Sequence, residues 1–341
     1  MYNISEMKVA LLIGINYSSD ASSKLNGCIN DIDNMKEVLI KQYGYESSNI
    51  IMLRDDNPSK MPTRNAILAA FQNIVNASKS GSCTEIWIHY SGHGTIVRDT
   101  NGDEQSGRDS AIVPVDFKTS GLIVDDTILE FVSQIQCPTI IMMDSCNSGT
   151  VCDLEWSFEF DENTNKHIET HNSVIKSIQN GSIIMFSGCK DTQTSADFFD
   201  SEDKRYEGAF TDALLRSLSK NLYVGTFSNI HKDICSSLKA RGFSQIPILS
   251  GSSTKTLDWN LQVVPPLPVL PVLPVVIATG PTKPTRPTRP TRPMRPNALN
   301  WRPTLPARPT LPTIPNIIRP FPFLQRSMMR SPTITMQIIQ K

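Results

Sequence analysis

Thr139-Ile-Ile-Met-Met-Asp-Ser-Cys-Asn-Ser-Gly149 decides how this chain folds. Its first five residues are an apolar, β-branched-rich run of buried-strand character and the next six are small and polar. A strand must therefore end there and deliver Asp144 and Cys146 onto a tight turn. A second stretch ends alike. Glu85-Ile-Trp-Ile-His-Tyr90 reads as a buried strand and runs into Ser91-Gly92-His93-Gly94, whose glycines allow a close, unusual backbone path around one imidazole. Two strands thus offer a thiol and an imidazole at their ends.

In an α/β sheet, chemistry collects outside the carboxyl ends of the strands, where two such tips can meet although His93 precedes Cys146 by 53 residues. Nucleophilic thiol catalysis needs that pairing. A free Cys is only a few per cent thiolate at neutral pH, and a neighbouring imidazole takes its proton and later returns it to the leaving amine. Backbone N–H groups near Gly94 and Cys146 are candidate donors to the tetrahedral intermediate. No third side chain stands out, which leaves a backbone carbonyl to orient His93. The alternative, a buried structural Cys and an unrelated His, does not account for both motifs in this order.

Outward from the two tips, Lys8 to Ile15 reads as the first strand and Asp31 to Tyr43 as a helix with Ile32, Met35 and Leu39 on one face. Ile50 to Leu53 is a short strand, and Pro62-Thr63 opens a helix to about Ala77. Asp125 to Ile135 is helical. Ser182 to Ser187 gives a strand, Glu207 to Ser219 and Asn229 to Ala240 give helices, and Gln245 to Ser250 a last strand. The β-α-β-α-β order predicts a three-layer α/β/α sandwich around a mostly parallel sheet of about six strands. Glu155 to Thr170 reads as a polar, acidic loop. Lys166, its only Lys or Arg, is a candidate point of self-cleavage, against the plainer reading as a passive solvated loop.

At these motifs the chain resembles the metacaspases, the caspase-like cysteine proteases of plants, fungi, protists and bacteria. The resemblance rests on His-Tyr-Ser-Gly-His-Gly (89–94) and Asp-Ser-Cys-Asn-Ser-Gly (144–149), and on the blocks at Gly27–Asp31, Pro114–Phe117, Ile123–Asp126 and Phe186–Asp191. Asn147 departs from the family, which usually has His there. The likeness covers most of residues 7–260 and implies a caspase-like peptidase domain over 1–262, in which His93 and Cys146 are catalytic. It implies that Cys28, Asp31, Ser91 and Asp144 line the pocket for the residue before the scissile bond, with cleavage after Arg or Lys. Two carboxylates in a partly desolvated recess favour a guanidinium or ammonium on physical grounds as well. It further implies activation by Ca²⁺ held on Asp109, Asp125, Asp126 and Asp153, a set of hard oxygen ligands suited to that ion. The family tends to be monomeric.

Composition divides the chain in two. Eleven of the 33 Lys and Arg and 19 of the 24 prolines lie from Val263 onward, and no acidic residue follows Asp258, so a zero net charge hides an acidic body and a basic tail. The Pro-x-x-Pro spacing of 263–341 predicts extended polyproline II without a core of its own, disordered by default. It offers a ligand for SH3-type domains, a basic tether to nucleic acid or anionic surfaces, or an intramolecular cover for the acidic body. Eight of its cations are each followed by Pro and thereby shielded from cleavage. Five prolines break the apolar run from Leu261 to Ile277, which excludes a continuous membrane helix. Seven cysteines without a signal peptide point to a reduced, cytoplasmic location. A non-catalytic caspase-like scaffold acting through the tail is the other functional reading, and retention of both Cys146 and His93 weighs against it.

Overall fold

The computed structural model describes residues 7–98, 108–146, 154–172, 178, 182–190, 196–200 and 204–261. Asp153, Asn147, the acidic run from Asp99 to Glu104 and the whole basic tail lie outside the described residues. The first half runs β1 (Met7–Gly14), α1 (Cys28–Lys41), β2 (Ile50–Arg54), α2 (Arg64–Ser78), β3 (Cys83–Ser91), β4 (Gly94–Arg98) and β5 (Arg108–Ile112). Next come α3 (Phe117–Ser120), β6 (Ile123–Val124), α4 (Asp125–Val132), β7 (Thr139–Asp144), β8 (Trp156–Asp161), β9 (Lys166–His171) and β10 (Ile183–Ser187). The rest is β11 (Asp197–Asp200), β12 (Arg205–Gly208), α5 (Ala209–Lys220), β13 (Gly225–Thr226), α6 (Phe227–Ala240), β14 (Ile248–Gly251) and β15 (Asn260–Leu261).

The central sheet has the order β2-β1-β3-β7-β10-β14-β8-β9, with β2 through β10 parallel and the last three strands antiparallel. Alternation along β1 divides its side chains between two cores. Val9, Leu11 and Ile13 join Ile67, Phe71 and Ile74 of α2 and Ile128 and Val132 of α4. Ala10 and Leu12 join Ile32, Met35 and Leu39 of α1, Phe210 and Leu214 of α5, and Ile230 and Ile234 of α6. Helices on both faces make the three-layer sandwich.

Besides small shifts at several element ends, two differences from the sequence reading bear on the site and the sheet. Among the described residues the sheet has eight strands rather than about six, because the stretch read as an acidic loop forms the β8–β9 hairpin. Trp-Ser-Phe-Glu-Phe-Asp alternates like a half-buried strand, and burial of Phe158 and Phe160 outweighs the surrounding charge. Helix α1 begins at Cys28, three residues earlier than expected, which puts Asp31 in its first turn instead of at its start. No described helix is long and apolar enough to cross a membrane.

Candidate active site

β3 and β7 are parallel neighbours in the middle of the sheet, and their last paired residues are Ser91 and Asp144. Two residues beyond each lie His93 and Cys146. The pairing continues past the strand ends, where the Gly92 N–H donates to the Asp144 carbonyl at 3.3 Å. A Cβ on Gly94 would sit 1.9 Å from the Cys146 carbonyl oxygen, so the backbone beside the imidazole is pressed against the backbone beside the thiol. Only a residue without a side chain permits that approach.

The imidazole of His93 is oriented by main chain. Its Nε2 lies 2.7 Å from the Ser23 carbonyl, which only accepts, so Nε2 carries the hydrogen. In the neutral ring Nδ1 is then the basic nitrogen. Ser23 sits in a loop folded around Asp20, whose carboxylate accepts from Ser22 and Ser23 and pairs with Lys118 at 2.5 Å. The Lys118 ammonium and the Ser22 donors hold the Asp20 carboxyl well below the usual range. The Tyr17 ring packs 4.7 Å from the imidazole, and its hydroxyl accepts from the His93 N–H at 3.1 Å while donating to the Val113 carbonyl at 2.6 Å. Tyr90 donates to the His93 carbonyl at 2.7 Å. Burial pushes both tyrosines up, which keeps these hydroxyls neutral. On the thiol side, the Cys189 Sγ lies 3.3 Å from the Ser145 carbonyl and steadies the turn before Cys146.

The predicted pocket residues gather beneath the same edge. Asp31 accepts from the Ser91 hydroxyl at 2.6 Å and from the Gly208 N–H at 2.9 Å. Asp144 accepts from the Thr211 N–H at 2.9 Å and its hydroxyl at 2.8 Å. Thr211 is in the first turn of α5, so Asp144 takes up one of the backbone N–H groups at that helix's N-terminus. A Cβ on Gly208 would lie 2.2 Å from one Asp144 oxygen and 2.7 Å from one of Asp31, which shows how closely the two acids converge. Both are nearly inaccessible, at 1% and 4%. Cys28 is buried at the start of α1, its N–H donating to Asn16 Oδ1 at 3.0 Å. The sequence reading named these four residues and missed Tyr17, Ser23, Thr211 and Gly208. Asn16 and Tyr17 follow a strand that ends at the same edge, and this was the one available signal for them.

A profile of the metacaspase peptidase C14 domain matches residues 8–155. Metacaspase-1 of Scheffersomyces stipitis is 32% identical over 311 residues, which cover 77% of this chain and 74% of that protein. The chain belongs to the metacaspase family. Metacaspase-1 of Eremothecium gossypii is 33% identical over 305 residues, 75% of this chain, and this metacaspase spans 66% of that relative's length. A solved structure of a Geobacter sulfurreducens protein, 24% identical, covers 74% of this chain and 96% of itself at a TM-score of 0.50, which speaks for the fold alone.

Three of the four carboxylates expected to bind cation in this metacaspase come together: one oxygen each of Asp109, Asp125 and Asp126 lie within 4.8 Å of one another. Asp109 is on β5, and the other two open α4. Two of the three are buried, and such a set of hard donors fits a divalent cation. A second acidic group, Asp200, Glu207 and Asp212, is built differently. Arg216 bridges Asp200 and Asp212 at 2.6 and 2.8 Å, Arg205 pairs with Glu207 at 2.8 Å and Arg241 with Asp212, so arginines already fill the place of a metal. The Arg216–Asp200 pair ties the β11–β12 hairpin, and with it Gly208, to α5.

Proposed function

We propose that the chain is a cysteine endopeptidase that cleaves after Arg or Lys. The observation that carries this reading is the side-by-side ending of β3 and β7, which sets His93 and Cys146 at one edge with Asp31 and Asp144 beneath it. Neighbouring strands are about 4.8 Å apart, within the span of a thiol–imidazole pair. His93 Nδ1 takes the Cys146 proton, and the Nε2–H bond to Ser23 stabilises the imidazolium that forms. The sulfur bonds to the substrate carbonyl carbon, and the backbone N–H groups of Gly94 and Cys146 stand next to the developing oxyanion. As the C–N bond breaks, His93 returns the proton to the leaving amine. Water deprotonated by His93 then hydrolyses the acyl-enzyme. Asp31 and Asp144, oriented by neutral donors, are the carboxylates that receive the substrate guanidinium or ammonium.

Calcium is the proposed activator, held on Asp109, Asp125 and Asp126, with Asp153 as the fourth candidate. A bound divalent cation would neutralise the clustered carboxylates and fix β5, whose far end leads to Val113 beside Tyr17 and His93. The test is hydrolysis of Arg, Lys and Asp fluorogenic peptides with and without calcium, alongside Cys146→Ala. Turnover of the Asp peptide, or residual turnover by the Ala variant, overturns the proposal.

A further inference from the structure

We infer that His89 is a positioning residue for the substrate pocket: through the Thr211 hydroxyl it fixes the Asp144 carboxylate that receives the basic side chain. The inference rests on the Arg/Lys reading of that pocket. Strand alternation places His89 and Ser91 of β3, with Met142 and Asp144 of β7, on the sheet face covered by α5. Tyr90 and Met143 face the other core.

His89 is wholly buried, and its Nε2 lies 3.2 Å from the Thr211 hydroxyl oxygen. The Thr211 hydrogen is committed to Asp144 at 2.8 Å. The hydroxyl must then accept from His89, which fixes the imidazole as the Nε2–H tautomer. The opposite tautomer would draw the hydroxyl hydrogen to itself and take one donor from Asp144. Nδ1 has no hydrogen-bond partner among the described residues, a desolvation cost that an apolar side chain at this core position would avoid. Burial pushes the ring down to about 4, against the attraction of Asp144, so it is neutral at working pH. A neutral donor orients the carboxylate without cancelling the charge that a substrate cation needs. The chain from His89 to Thr211 to Asp144 therefore sets the direction of the carboxylate in one pocket wall.

The test compares His89→Phe and Thr211→Val, which remove the donor or the relay, with His89→Gln and Thr211→Ser, which keep a donor and a hydroxyl. Kinetics on an Arg peptide, inhibition by benzamidine, alkylation of Cys146 by iodoacetamide and thermal melting are read for each. For Phe and Val variants KM rises about tenfold, benzamidine weakens by a similar factor and kcat stays within about threefold, as expected for loss of binding rather than of chemistry. Alkylation is unchanged, the Gln and Ser variants remain near the parent, and the Phe/Val double variant is no worse than either single one because both act on one relay. An active parent whose Phe and Val variants melt lower but keep the parental KM overturns the inference alone, since His89 then only fills the core. A parent that leaves Arg and Lys peptides intact overturns the pocket reading and this inference with it.

Discussion

The Tyr17 hydroxyl joins the two sides of the His93 loop: it accepts the His93 N–H at 3.1 Å and donates to Val113 at 2.6 Å. The residue sits at φ 50°, a left-handed conformation that costs a non-glycine side chain energy and is kept here by those contacts. Tyr17→Phe leaves the ring packed against the imidazole and removes both bonds. Two buried main-chain groups lose their partner, so the variant is expected to be less stable by about 1–3 kcal/mol. Its kcat is expected to fall about tenfold or more, because the imidazole is no longer held in register with Cys146. Denaturant unfolding and steady-state kinetics check the two parts; a parental kcat would show that the ring contact alone positions His93.

The approach of Gly94 to the Cys146 carbonyl makes a second, sharper prediction. A methyl at 1.9 Å from that oxygen cannot be accommodated unless the backbone moves, and the neighbour is main chain rather than the end of a flexible side chain. Gly94→Ala is therefore expected to abolish turnover while the protein still folds, since the side chains that fill the two cores are unchanged. Circular dichroism with active-site titration by an alkylating agent distinguishes this from global unfolding. Gly208→Ala, 2.2 Å from Asp144, is expected instead to act mainly on KM for Arg peptides.

How much of this was legible beforehand follows from which signals are local. The thiol and imidazole announce themselves because an apolar run breaking into small polar residues is contained in a dozen positions, as at Thr139 to Gly149. Asp31 and Asp144 could be placed near the same rim because each lies close to a predicted strand or helix end. Ser23 could not be found. It contributes a carbonyl, which every residue has, and its selection depends on the path of the loop around Asp20. Thr211 and Gly208 were hidden for another reason: they reach the pocket from the first turn of α5 and the end of β12 just before it, more than sixty residues after Asp144, and only the packing of that segment on the sheet brings them there. The β8–β9 hairpin was misread because its charged residues masked the alternation carried by Phe158 and Phe160.

The carboxylate cluster on β5 and α4 should answer to a single charge removal. Asp125 Oδ2 accepts from the Ser110 N–H at 2.6 Å and Oδ1 from the Asp126 N–H at 2.9 Å, so Asp125→Asn keeps an acceptor for one of these N–H groups and, by lowering the negative charge of the site, relieves carboxylate repulsion that offsets loss of the other. The calcium concentration for half-maximal activity is expected to rise about tenfold or more, with the melting temperature in EGTA close to the parent's. Isothermal titration gives the affinity directly. Equal activity in EGTA and in millimolar calcium would remove calcium from the account of this enzyme.

Acid stability should report the buried histidines of the second core. His231 Nε2 donates to the Pro247 carbonyl at 3.1 Å, which leaves Nδ1 to accept from His167 Nε2 at 3.1 Å and joins α6 to the β8–β9 hairpin. Desolvation, helped by the nearby His167, pushes His231 down to about 3, and desolvation alone pushes His89 down to about 4. The unfolded chain, whose imidazoles titrate near 6.5, then binds protons that the folded chain refuses. Stability is complete above about pH 6.5 and declines as pH falls toward the folded values, by up to about 1.4 kcal/mol per pH unit for each such group. A proton on His231 Nδ1 would also set two N–H groups facing each other across the His167 contact. His231→Gln is expected to flatten the slope of unfolding free energy between pH 6.5 and 4 while lowering stability at pH 7.5, since the bond to Pro247 is weakened. Urea titrations at half-unit pH steps measure both; a slope identical to the parent's would place the acid sensitivity elsewhere in the fold.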